Sequence, residues 1–279
     1  VAKLGLIAGG GSLPLEIAEH CRRVGRPLFV IRLKGFAEPA LGAYEGAEVG
    51  LAELGKCIKA LKRAACEAVC LAGRVARPDF AQLAPDFRGL AALPGAIAAG
   101  RKGDDALLRF LVGEFEKEGF AVEGAEGVMG ELGLAAGPLG RHAPTPEQLA
   151  DAQQALDTAR AIGRLDIGQG AVVCDGLVLA VEAQEGTDAM LERVAGLPSP
   201  LRGREGAPRG VLAKAPKPIQ ETRVDLPAIG LATVRRAAAA GLAGIVGEAG
   251  RLLVLDRDET IALADELGLF ILGVEPQSR

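Results

Sequence analysis

Glu182, Gln184, Glu185 and Asp188 fall within seven positions, directly after an apolar run. A second charged set, Lys214, Lys217, Arg223 and Asp225, follows another apolar run, Val211 to Ala213. The lysines and the arginine suit an anion, and the carboxylates suit a cation or a proton in transit. Charges of both signs gathered at strand ends point to a site more than to a need for stability. The structural alternatives are specific. Glu185, Thr187 and Asp188 could serve as helix-capping residues, with Thr187 as N-cap. Asp225 could pair with Arg223 or a lysine, and the lysines could form a solvated rim. An extended backbone from Arg223 to Asp225 would aim the two side chains to one side.

The elements that must position these residues read as follows. Ala171–Cys174 and Leu177–Val181 flank Asp175-Gly176, a hairpin signal. Prolines 216, 218 and 227 stiffen the segment after Val211–Ala213. Nearer the start, Leu4–Ala8 runs into Gly9-Gly10-Gly11-Ser12, and Pro14 opens an amphipathic helix to about Arg23. Strand, glycine loop and helix is an arrangement that cradles phosphate, which makes Gly10, Gly11 and Ser12 candidate ligand contacts. The dinucleotide fingerprint is incomplete: Pro14 holds the third glycine position, and the next strand, Leu28–Leu33, ends among Arg32 and Lys34 instead of at an acid. Strands near Glu48–Leu51 and at Ala68–Ala72 flank a helix from Glu53 to Ala65, giving a parallel βαβαβ sheet. Arg74 and the Arg77-Pro78-Asp79 stretch follow the last of these strands, the end of an open sheet that carries ligands. Asp104 or Asp105 reads as the cap of a helix from Ala106 to Glu118.

Gly137 to Pro146 reads as a linker, dividing the chain into 1–136, 137–146 and 147–279. Beyond it come a helix from Pro146 to Ile162, a short helix capped by Thr233, strands at Ile245-Val246, Leu252–Leu255 and Leu269–Leu272, and a helix from Glu259 to Leu267. The expected fold is α/β in two domains: a Rossmann-like parallel sheet, then a mixed α/β domain. The 279 residues suffice for two cores. Aromatics make up only 3% of the chain, so those cores rest on Ala, Val, Leu and Ile. A net charge of −4 argues against a broad basic surface for nucleic acid. Five cysteines without a C-x-x-C pair imply reduced thiols, and two histidines, His20 and His142, make a histidine-rich metal site improbable. No apolar run is of spanning length and no signal-peptide pattern opens the sequence, so a soluble cytoplasmic protein is expected.

Seven stretches in order resemble one family: GLIAGGGSLP at 5–14, GRVARPDF at 73–80, GDDALLR at 103–109, LDIGQGAVV at 165–173, VEAQEGTDAMLER at 181–193, AKAPKPIQETRVDLPAIG at 213–230 and AGLAGIVGEAG at 240–250. Together they are similar to the LpxI-type UDP-2,3-diacylglucosamine pyrophosphatases of Gram-negative lipid A biosynthesis. The resemblance implies hydrolysis of the substrate diphosphate to lipid X and UMP, a Mg²⁺ requirement, and two α/β domains with the ligand at their interface. On this reading Asp225 is the leading catalytic carboxylate, with Asp188, Glu185 and Arg223 beside it. Asp225 and Asp188 are the expected Mg²⁺ ligands, with Glu182 a further oxygen donor. Gly10, Gly11, Ser12, Arg74, Asp104, Gln169, Thr187, Lys214 and Lys217 are the expected substrate contacts. A homodimer and peripheral contact with the inner membrane are also expected. The rival classes are a Rossmann-type nicotinamide oxidoreductase and a nucleotide-sugar binding protein without catalysis.

Overall fold

The computed structural model describes residues 1–75, 83–130, 132–218, 221 and 223–276, without the side chain of Asp104. The chain forms two compact units, Val1–Glu131 with Glu221–Asp225, and Leu132–Gln220 with Leu226–Arg279. A short segment from late in the sequence thus belongs to the first unit.

In the first unit the elements are β1 (Leu4–Ala8), α1 (Leu13–Arg23), β2 (Leu28–Leu33), β3 (Gly46–Val49), α2 (Leu54–Arg63), β4 (Ala68–Ala72), α3 (Phe87–Gly100), α4 (Asp104–Lys117), β5 (Ala121–Val122) and α5 (Ala125–Met129). The sheet order is β3-β2-β1-β4-β5 and every pair is parallel. Alternation along β1 decides its two faces. Leu4, Leu6 and Ala8 pack with Ile17, Ala18 and Cys21 of α1, while Ile7 packs with Ile58 and Leu61 of α2 and with Val112 and Phe115 of α4. The cysteines are filler: Cys66 and Cys70 lie in opposite cores, and burial pushes the thiols of Cys57 and Cys70 up to about 12. Asp86 joins two helix starts, its carboxylate accepting from Gly89 N at 2.7 Å in α3 and from Lys56 N at 2.7 Å in α2.

The second unit holds β6 (Gly137–Leu139), α6 (Pro146–Arg164), β7 (Gly170–Cys174), β8 (Leu177–Val181), α7 (Gly186–Ala195), β9 (Val211–Lys214), β10 (Ala228–Ile229), α8 (Leu231–Ala239), β11 (Gly244–Glu248), β12 (Leu253–Val254), α9 (Arg257–Leu267) and β13 (Phe270–Val274). Its main sheet runs β6-β13-β11-β9-β7-β8, with β9, β11 and β13 mutually parallel. β7 is antiparallel to both β9 and β8, so β8 runs in the direction of β9. Val172, Leu212, Ile245 and Ile271 face the apolar sides of α7, α8 and α9, and Ala171, Val173, Ala213 and Val246 face α6. The hairpin turns at Asp175 and Gly176, both at positive φ as a tight two-residue turn requires. Buried Asp151 accepts both of their amides, at 2.9 and 2.8 Å.

Several local expectations are corrected. The 137–146 stretch is not wholly a linker: Gly137–Leu139 is an edge strand on β13, where Pro138 costs the sheet little. Leu134 already lies in the second core, so the chain passes between units nearer residue 132. Gly103, not an aspartate, is the N-cap of α4. Glu185 holds the N-cap position of α7 and Thr187 lies inside its first turn. Thr233 is buried inside α8, which starts after Gly230.

Candidate active site

In the first unit the strand order reverses direction between β1 and β4, the switch point at which open α/β sheets take ligands. Two glycine turns meet there. Gly10 N donates to Arg74 O at 2.9 Å, and Arg74 N returns a bond to Gly10 O at 2.8 Å. The clasp explains the glycines: a Cβ on Gly9 would come within 2.7 Å of Arg74 O, and one on Gly73 within 2.7 Å of Gly10 O. Gly10, Gly11, Ser12 and Arg74 are therefore brought to one place. The loop's amides are not all open, because Gly11 N donates to the Glu38 carboxylate at 3.1 Å. Ser12 Oγ turns to Glu16 Oε1 at 3.0 Å, and the Arg74 side chain is exposed. The Arg77-Pro78-Asp79 stretch and the side chain of Asp104 lie outside the described residues.

The second unit gathers its candidates where β8 and β9 end and β7 begins. Lys214 closes β9 and is 5% exposed, yet its ammonium is served by acceptors: Nζ donates to Thr187 Oγ1 at 2.8 Å and to Ala228 O at 3.2 Å. Gln169 lies on the adjoining strand start, where its carbonyl accepts from Ala215 N at 2.9 Å. Thr187 thus faces the lysine instead of capping its own helix. Glu182, which follows β8, is also buried, and Oε2 receives no hydrogen bond from the described residues. Its niche exists because Gly170 has no side chain; a Cβ there would lie 2.4 Å from that oxygen.

Other candidates are engaged elsewhere. Lys217 donates to Asp166 Oδ1 at 2.8 Å. Glu185 pairs with Arg193; its own backbone N–H, and then that guanidinium, hold its carboxyl below the usual range. Asp188 stands 3.8 Å from Arg236.

The stretch from Arg223 to Asp225, in the first unit, turns instead of running extended as expected. Val224 N and Asp225 N both donate to Glu221 O, at 2.9 and 3.0 Å, so Arg223 and Asp225 do not follow strand alternation. Arg223 is held bidentately by Glu221, at 2.8 and 2.9 Å, and by Glu116 at 2.7 Å. These acids raise the guanidinium pKa, and Arg223 in turn holds the Glu221 carboxyl low. Glu221 carries no local sequence signal, because what gives it a role is a partner far along the chain.

Among the described residues no three His, Cys, Asp or Glu side chains gather as a ready cage for a metal. Mg²⁺ does not require one: it keeps several waters and takes one or two carboxylates together with substrate phosphates. Asp188 and Asp225 each offer carboxylate oxygens of the type Mg²⁺ takes. No helix among the described residues is long and apolar enough to cross a membrane.

Comparison with known proteins places the chain in a family. Residues 3–132 match the LpxI N-terminal domain, and residues 135–272 match the LpxI C-terminal domain. The chain is 67% identical over 277 residues to the UDP-2,3-diacylglucosamine pyrophosphatase LpxI of Caulobacter vibrioides, covering 99% of both proteins. The two matched domains divide near residue 132, where the chain passes from one unit to the other. The chain belongs to the LpxI family.

Proposed function

We propose that the protein hydrolyses the diphosphate of UDP-2,3-diacylglucosamine to lipid X and UMP, a step of lipid A biosynthesis. The relative's name supplies the substrate class. The structural observation that carries the reading is the buried ammonium of Lys214, set beside the Thr187 hydroxyl at the end of a central strand. An ammonium kept there is suited to a phosphate oxygen, with Gln169 and Lys217 as further polar contacts. Gly10, Gly11, Ser12 and Arg74 contact the phosphate or nucleotide portion.

Water attacks one phosphorus, the bond to the bridging oxygen breaks, and charge collects on the departing phosphate. Lys214 stabilises that charge, which costs little reorganisation because its position is already fixed. Asp225 orients the water and takes up its proton. Asp225 and Asp188 are the residues that would hold Mg²⁺, which would supply positive charge to offset that of the diphosphate. Glu185 and Arg223 support the helix start and the turn on which Asp188 and Asp225 stand.

The test is UMP release from UDP-2,3-diacylglucosamine, with and without Mg²⁺, by the wild type and Asp225→Ala. A positioned acid–base group contributes about 10²–10⁴-fold, so the variant is expected to lose at least about 10²-fold in kcat and still bind substrate. Near-normal turnover removes Asp225 from the mechanism. Lost turnover with a collapsed Tm favours a purely structural aspartate. Attack at either phosphorus gives the same two products, and the fate of labelled oxygen from water tells the two apart. A homodimer and peripheral contact of a cytoplasmic protein with the inner membrane complete the proposal. Sedimentation and vesicle flotation check these.

A further inference from the structure

Asp105 is 3% exposed in the first turn of α4, where a carboxylate ordinarily serves its own helix's amides. It does something else. Oδ1 accepts from the backbone N–H of Glu221 at 2.7 Å, across 116 residues of sequence. Oδ2 lies 2.8 Å from the Arg109 guanidinium, one helical turn on, which balances the buried charge. Glu221 is thereby held through its N–H, and through its carbonyl it holds the amides of Val224 and Asp225. The rest of the segment has its own supports. Val224 packs against the core that includes Phe115 and Val122. The backbone of Arg223 passes so close to Gly124 that a Cβ there would lie 3.0 Å from Arg223 O. Val224 alone would give this segment adhesion. A buried carboxylate is a costly way to add more of it, since an ion's desolvation offsets much of what its partners return. What a directional, charge-assisted bond adds is a fixed position for one backbone amide.

We infer that Asp105 is the positioning residue for Asp225, fixing through Glu221 the turn on which that carboxylate stands. The inference rests on the reading of Asp225 as catalytic, so Asp225→Ala is assayed in parallel. Asp105→Ala is expected to lower kcat by about 10²-fold, the scale of a roughly 1 Å misplacement, with KM changed by less than about threefold. Asp105→Asn keeps an oxygen that can accept from Glu221 N and is expected to restore kcat to within about fivefold of wild type. Asp105→Ala combined with Asp225→Ala should lose no more than Asp225→Ala alone, because both changes remove the same contribution. Should Asp105→Ala fail to fold, Glu221→Pro deletes the donated N–H and Glu221→Ala deletes only the side chain. The proline variant is then expected to lose at least about tenfold more kcat than the alanine variant. Wild-type kcat in Asp105→Ala, failure of Asp105→Asn to rescue, or equal kcat in the two Glu221 variants overturns the inference while Asp225→Ala stays inactive. An active Asp225→Ala overturns the catalytic reading itself, and this inference with it.

Discussion

Replacing Lys214 by Met deletes an ammonium at nearly constant side-chain length. Its register neighbours on β7 and β11 are Gly170 and Gly247, so no adjoining side chain needs to move. Two consequences for stability oppose each other. Thr187 Oγ1 and Ala228 O lose their donor, at about 1–3 kcal/mol for each group kept from water. Against that, the folded protein no longer has to desolvate an ammonium, a relief of several kcal/mol. Terms of similar size and opposite sign leave a net change within about 2 kcal/mol, a few degrees in Tm. The effect on ligand has no such compensation. A hydrogen bond to a charged group contributes about 1.5–3 kcal/mol, so UMP should bind roughly 10- to 150-fold more weakly. Titration calorimetry with UMP and a melting curve on the same preparation give both numbers. Unchanged UMP affinity would refute the assignment of Lys214 to phosphate. So would an affinity loss accompanied by a fall in Tm far beyond a few degrees, which would mark the lysine as structural.

Gly73→Ala should be destabilising whatever the ligand does: its φ of +93° and the 2.7 Å approach to Gly10 O predict a loss of about 1–3 kcal/mol from backbone strain alone, measured by urea unfolding. Wild-type stability would mean that the two glycine turns do not clasp. Burial alone would raise the carboxyl pKa of Asp86, but backbone amides of Gly89, Lys56, Gly55 and Arg88 outweigh it and hold it below the usual range. A folded pKa depressed in this way contributes stability that is fully present above the ordinary aspartate value of about 3.9 and is lost as pH falls through the lower folded value. Asp86→Asn should therefore flatten the dependence of stability on pH below about 4, and an unaltered acid limb would sink the assignment.

How much of this was legible in sequence depended on whether the signal was local. Gly9 to Gly11 after an apolar run, and Asp175-Gly176 between two such runs, state their geometry within a few residues, and both turns stand where the sequence put them. Helix α3 was hidden for the converse reason. Pro94, Gly89 and Gly95 disfavour a helix interior by type, yet the two glycines are openings for neighbours: a Cβ on Gly95 would meet the Phe110 ring at 2.6 Å, and one on Gly89 the Ala52 carbonyl at 1.9 Å. Packing chosen by distant residues overrode local propensity. The glycine- and proline-rich 137–146 stretch misled in the same way, because an edge strand tolerates Pro138 while β13 supplies the pairing.

The charged candidates show the limit most clearly. Residue type marked Lys214, Thr187 and Arg223 as able to do chemistry, but what a side chain does is set by what arrives opposite it. Thr187 suits a helix cap by type, but a lysine 27 positions away claims its hydroxyl. Arg223 suits a phosphate clamp by type, yet its guanidinium already holds two carboxylates, and a phosphate would have to displace charge-assisted bonds to both. Its bonds among the described residues are those to Glu221 and Glu116, beside the turn that bears Asp225. Asp105 follows the same logic. Local spacing makes it a cap, and only the arrival of Glu221 in the first unit turns it toward the segment that carries Asp225.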